Sequence, residues 1–170
     1  DVEGNLVVVD TKNHRIQRYT KDGKYLEGFG EFGSNPGQLH SPWGIHVDEK
    51  NDIYVSDWGN NRVQVFSSKG ELKLLFGEPG HLDGELNRPT GITVDNHGDI
   101  YVADWGNNRV LMFNQHGDYI WSFAGDAILS KIARNYMLTN AVSNRLRESG
   151  KLEREKYLRR PRSVRIDSEF

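Results

Sequence analysis

DIYVSDWGNNRVQVF (52–66) returns as DIYVADWGNNRVLMF (99–113), and a looser copy, NLVVVDTKNHRIQRY, occupies 5–19. The copies begin at 5, 52 and 99, 47 residues apart. A fixed period of this size marks stacked or radially arranged supersecondary units, so one unit carries the architecture of the chain. The copies also act as an internal control. A residue present in all of them builds the unit, whereas a polar residue present in one is a candidate for function.

The middle copy widens to a unit spanning 42–77. PWGIHVD (42–48) is short, β-prone and opened by proline, which suits the start of a strand and not its interior. IYVSD (53–57), RVQVF (62–66) and ELKLLFG (71–77) follow, separated by the turns EKND, WGNN and SSKG. Short strands joined by Gly-, Asn-, Asp- and Ser-rich turns form an antiparallel meander. Runs such as LVVV (6–9) and IYV (53–55, 100–102) are apolar at successive positions, so both faces of the sheet must be covered. Four strands per period, each sheet packed between neighbours, predicts an all-β fold: a β-propeller of four-stranded antiparallel blades.

Pro-x-Gly-Ile-x-Val-Asp, then Asp-Ile-Tyr-Val-x-Asp, then Asn-x-Arg-Val-x-x-Phe resembles the NHL repeat family. Units 42–77 and 89–123 carry the whole pattern. Unit 4–30 carries it from the second strand onward, with Asn13-His14 as the family's Asn-His pair, and RPRSVRID (160–167) matches a first strand alone. The resemblance implies a six-bladed ring and a face that binds protein, peptide, glycan or RNA. It also implies an enzymatic alternative, because related six-bladed propellers include metal-dependent lactonases and an amidating lyase.

Counted by strands, the chain holds three blades, one of them split between the two ends, and three cannot close a ring. An open stack exposes an edge strand and two apolar faces. Two readings follow. Either two chains join head to tail, each C-terminal first strand completing the partner's opening blade, or the chain is a piece of a longer six-bladed one. The start at Asp1 without methionine fits a processed or excised piece. The expected assembly is the homodimer.

The charge changes sign where the period breaks. Residues 1–126 hold 11 Lys/Arg against 19 Asp/Glu, a net −8, and residues 127–165 hold 11 against 3, a net +8. In this stretch Ile128, Leu129, Ile132, Ala133, Tyr136 and Met137 follow helical spacing, which predicts a helical insertion over 127–158 between the last fourth strand and the C-terminal first strand. Its basic side offers a lid or an anion-binding surface, RNA included; the competing reading is a solvated amphipathic helix. The absence of cysteine excludes disulfides and thiolate zinc sites, and no apolar run reaches the length of a membrane span. No compartment follows from the sequence.

Asp10, Asp57 and Asp104, and Arg15, Arg62 and Arg109, recur in every copy, which assigns them to the scaffold. Trp58 and Trp105 in the turns can stack on a ligand or cover their own blades, and packing is the favoured reading. At the start of the first strand the repeats differ. The residue after proline is Trp43, Thr90 or Arg162, and three residues on it is His46, Thr93 or Arg165. Trp43, His46, Arg162 and Arg165 are therefore the leading ligand-binding candidates, with Trp58 and Trp105 behind them. The remaining histidines, His14 and His40 among them, fall in loops where exposure is usual. No histidine pair has metal-ligand spacing and no catalytic triad stands outside the repeat. The sequence points to a binding or scaffold module without a catalytic residue, metal or cofactor, with a protein or peptide ligand or RNA as partner.

Overall fold

The structure, a computed structural model, describes residues 1–124 and 158–166. The expected helical insertion lies outside the described residues apart from Leu158, whose N–H donates to the Ala124 carbonyl at 3.1 Å.

Three antiparallel sheets follow one another along the chain. The first has three strands: β1 (Leu6–Asp10), β2 (Arg15–Tyr19) and β3 (Tyr25–Phe29). The second has four: β4 (Ile45–Val47), β5 (Ile53–Asp57), β6 (Arg62–Phe66) and β7 (Leu72–Phe76). A two-residue parallel ladder, β8 (Glu78–Pro79) with β9 (Glu85–Leu86), lies in the linker that follows. The third sheet is β10 (Pro89–Val94), β11 (Ile100–Asp104), β12 (Arg109–Phe113) and β13 (Tyr119–Phe123). Each is a meander in sequence order, the topology of a propeller blade.

The WGNN turn between second and third strands is one 3₁₀ turn, stopped by a residue in the left-handed region. His14 (φ 55°), Asn61 (φ 54°) and Asn108 (φ 57°) hold this place in turn. Asn tolerates that conformation better than most residues, because its short side chain bonds locally.

The core lies between blades. Ile16 of the first sheet packs with Leu39, Ile53, Val55 and Phe66 at the first junction. Val63, Val65 and Phe76 of the second pack on Ile100, Val102, Leu111 and Phe113 of the third. Each fully buried Ile, Val or Phe contributes about 1.5–3 kcal/mol, so the blades are held face to face by these layers. The outer faces of the two end blades are uncovered among the described residues, with Leu6 and Val8 on one and Trp121 and Phe123 on the other exposed.

Residues 161–166, expected as a first strand, form no ladder among the described residues. They occupy an inner-strand position all the same. A Cβ on Gly44 would stand 1.9 Å from the Thr90 carbonyl oxygen, and one on Gly91 would stand 2.4 Å from the Ser163 Cα. First strands of successive blades thus approach so closely that glycine is needed at the contact. Ser163 occupies the third equivalent place.

Candidate functional site

Arg62 and Arg109 were assigned above to the scaffold, and their contacts show what they do there. Asp57, fully buried, receives Arg62 Nε (2.8 Å), Asn60 Nδ2 (2.8 Å) and Gln64 Nε2 (3.0 Å) on one oxygen and the His40 N–H (2.7 Å) on the other. Arg62 turns its other nitrogens to the carbonyls of Ser34, Asn35 and Gln38. Gln64 donates to the Gln38 carbonyl and accepts from the Gly37 N–H, and Asn60 donates to the Gly33 carbonyl. The cluster therefore grips the main chain of the linker that enters the blade. The third blade repeats it: Asp104 receives Arg109, Asn107 and the Asn87 N–H, and Arg109 reaches the Leu82 and Glu85 carbonyls.

Trp58 and Trp105 also act between blades. The Arg88 guanidinium lies 5.0 Å from the Trp58 ring centre and that of Arg160 lies 4.9 Å from Trp105. Both arginines precede the proline that opens an inner strand, and their N–H groups donate to Asn61 Oδ1 (2.8 Å) and Asn108 Oδ1 (2.9 Å). In the first copy His14 Nδ1 accepts the Ser41 N–H at 2.9 Å, and Thr11 stands in place of the indole.

The four leading candidates come together. Trp43, Gly44, Ile45 and His46, then Gly91 to Thr93, then Arg162 to Arg165 line one cavity of about 450 Å³ on the inner wall. Its walls are the first strands of three successive blades. Trp43 N–H donates to the Ser56 carbonyl while Ser56 N–H donates to the Gly44 carbonyl, so two residues oppose one in a β-bulge. The bulge re-aims the strand and lets Trp43 and His46 line the same space. Trp43 is 52% exposed there. Arg162 and Arg165 are exposed, and His46 is half-buried, with its ring centre 6.2 Å from that of Tyr54. Trp58 and Trp105 do not line this cavity.

His46 also borders a second cavity of about 370 Å³ with Asp48, Tyr54, Asp95, His97 and Gln115. Burial pushes the His46 imidazole below the ordinary histidine range, and the Asp48 carboxylate partly offsets it. Burial also raises the Tyr54 hydroxyl, helped by Asp48, to which it donates at 3.2 Å. Among the described residues no three His, Asp or Glu side chains stand close enough to hold one metal ion.

Sequence reading missed one cluster. His14 and His40, expected to be exposed, are half-buried, and with exposed Phe32 they form a trio with ring centres 4.9, 5.1 and 5.8 Å apart. None of the three recurs: the third unit has Pro79 for Phe32 and Asn87 for His40. The comparison of copies that picked out Trp43 could have found them.

The sequence matches the NHL repeat family over residues 39–66 and 86–113. No curated protein matches it. Among solved structures it is similar to a streptogramin B lyase, with 20% identity, a TM-score of 0.56, and coverage of 72% of this chain and 38% of that one. Virginiamycin B lyase from Staphylococcus aureus is similar at 22% identity and a TM-score of 0.55, over 71% of this chain and 38% of that one. Hydrazine synthase of Kuenenia stuttgartiensis is similar at 16% identity and a TM-score of 0.56, over 70% and 32%. This chain therefore spans well under half of each of these structures, and at such identities the likeness concerns the fold. Two matched NHL repeats thus lie on consecutive four-stranded blades, and the fold is of the β-propeller type.

Proposed function

We propose that the chain is a non-catalytic binding module that works as a closed ring of two copies and takes a protein or peptide ligand at its inner wall. One observation carries the reading: the residues that differ between repeats, Trp43, His46, Arg162 and Arg165, line a single cavity. The residues that recur are occupied with one another and with main-chain groups. An indole beside two guanidinium groups suits a peptide, offering a flat apolar surface and charged donors for carboxylate or carbonyl oxygens. The uncovered apolar faces of the end blades support closure into a ring.

Ligand-observed NMR with a library of short peptides tests the reading, run on the wild type and on a His46→Ala, Arg162→Ala, Arg165→Ala triple variant. Peptides that bind the first and not the second are the expected result. Binding that ignores the triple variant overturns the site. Binding of single-stranded RNA alone, falling steeply with salt, overturns the ligand class. Turnover of a streptogramin B substrate with added divalent metal overturns the non-catalytic reading.

A further inference from the structure

The seam between the second and third blades is open where the seam between the first and second is bridged. At the first seam Arg18 Nη1 donates across to the Ser68 carbonyl at 3.1 Å, and the Val2 N–H to Asn51 Oδ1 at 3.0 Å. One period on, Val65 stands in the place of Arg18 and Gly98 in that of Asn51, so neither bond can form. Two cavities lie along the second seam instead. Gly98 lines one of about 370 Å³, which reaches inward to His46. Val65 lines one of about 290 Å³, which reaches Lys73 on the outermost strand β7. Tyr54 and Gln115 border both. The two blades that wall the seam are complete four-stranded sheets.

His46 joins this seam to the inner wall, because it also lines the cavity of Arg162 and Arg165. The two neighbouring cavities differ in charge. Among the described residues the inner-wall cavity has two arginines and no carboxylate. The larger seam cavity has Asp48, Glu49 and Asp95 against Lys50. Asp48 is filled on one oxygen: Oδ1 accepts the N–H groups of Lys50 and Asp52, both at 2.9 Å. Its Oδ2 accepts the Tyr54 hydroxyl at 3.2 Å and keeps a lone pair for a further donor. Val47, Val94 and Tyr54 give the same cavity an apolar wall.

We infer that this seam cavity is a subsite for a lysine or arginine side chain of the ligand, its stem along Val47, Val94 and Tyr54 and its charged head at Asp48. A long apolar stem with a cationic tip suits a wall of this kind, and the head makes a charge-assisted hydrogen bond to the carboxylate. The inference rests on the peptide reading proposed above and adds an order to it. An acidic residue lies at Arg162 and Arg165, and a basic residue next to it passes His46 into the seam.

The test titrates the full chain by NMR with three end-blocked peptides, Ala-Glu-X-Ala, in which X is lysine, arginine or norleucine. On the wild type the lysine and arginine peptides should bind about tenfold more tightly than the norleucine peptide. Asp48→Asn should abolish that preference and leave the norleucine peptide unchanged, since the amide oxygen can still accept the Lys50 and Asp52 N–H groups. Gly98→Asn restores the residue of the bridged seam, where Asn51 sits at a φ of 62° against 89° for Gly98. It should close the seam and abolish the preference too, and it decides the matter should Asp48→Asn fail to fold. A wild type without the preference, or a preference that survives both variants, overturns the subsite and leaves the inner-wall reading standing. Unchanged binding of all three peptides to an Arg162→Ala, Arg165→Ala variant overturns the inner wall and leaves the seam. A wild type that binds none of the three overturns the order of acid and base, and the subsite with it.

Discussion

The guanidinium of Arg88 lies 5.0 Å from the centre of the Trp58 ring, spanning the junction between the second and third blades. Arg160 and Trp105 repeat the pair one blade on, whereas the first copy has Ser41 and Thr11 at these places. Cation and indole are thus present together or absent together, as expected of a stacked pair. A double-mutant cycle between Trp58→Ala and Arg88→Ala should show a coupling of about 0.5–1 kcal/mol in urea unfolding. Additive effects would return Trp58 to the ligand-binding candidates.

Arg62 should matter far more to a single chain than Arg15, although the two occupy the same place in the repeat. Arg62 is paired with a fully buried carboxylate and three linker carbonyls. Removing it strips the buried Asp57 carboxyl of its guanidinium partner, so Arg62→Ala should cost about 3–5 kcal/mol of stability. Arg62→Lys should recover little, because a single ammonium cannot reproduce the fork. Equal losses for Arg15→Ala and Arg62→Ala at concentrations where the chain is monomeric would contradict this account.

Gly44→Ala should be destabilising by about 1–3 kcal/mol or more, although its backbone is not in the left-handed region, because the added methyl meets the Thr90 carbonyl at 1.9 Å. Ser163 already carries a Cβ at the equivalent place. Ser163→Gly should leave the melting temperature of the monomer within about a degree or two of wild type and tighten the two-copy assembly. Assembly weakened by Ser163→Gly would show that the serine is favourable at the seam.

Ser56 is fully buried, and its hydroxyl has no hydrogen-bond partner among the described residues. The third blade has Ala103 at this place. Ser56→Ala should therefore raise stability, by about 1 kcal/mol, as a shift of the denaturation midpoint. A loss of similar size would mean that the hydroxyl is satisfied.

His46 carries a pH dependence with a definite sign. Its folded value lies below the ordinary 6.5, so the unfolded chain takes up the proton first. The neutral imidazole's contribution is full above pH 6.5 and declines as pH falls through the folded value. Asp48 limits the depression, while the guanidinium groups of Arg162 and Arg165 border the same cavity. In thermal melts, His46→Gln should lose less stability than wild type between pH 7 and pH 5, about the histidine range. Parallel curves for the two proteins would remove His46 as a contributor.

The period made the blades legible, since two strands and the turn between them repeat with nearly the same letters from Ile53 and from Ile100. The role of Asp57 and Arg62 as scaffold was legible by recurrence, but their target was not. The contacts end on the carbonyls of Ser34, Asn35 and Gln38, and main-chain atoms leave no trace in the choice of side chain. The short ladder of Glu78–Pro79 with Glu85–Leu86 was hidden for a related reason: two residues are too few to show alternation. At the inner wall, Trp43, His46, Arg162 and Arg165 were found because they differ between copies. The trio of His14, Phe32 and His40 differs in the same way, but its residues lie between strands, where local sequence gives no sign that rings will meet.

Because Arg62, Arg109, Asp57 and Asp104 hold the linkers by peptide groups alone, the framework places almost no demand on which side chains a linker carries. Its linkers, EFGSNPGQLHS at 31–41 and GEPGHLDGELNR at 77–88, share few letters yet are gripped alike. Linkers are thereby the part of this architecture free to diverge, lengthen and acquire new chemistry without unsettling the blades. The 36 residues from Gly125 to Arg160 fall in just such a place.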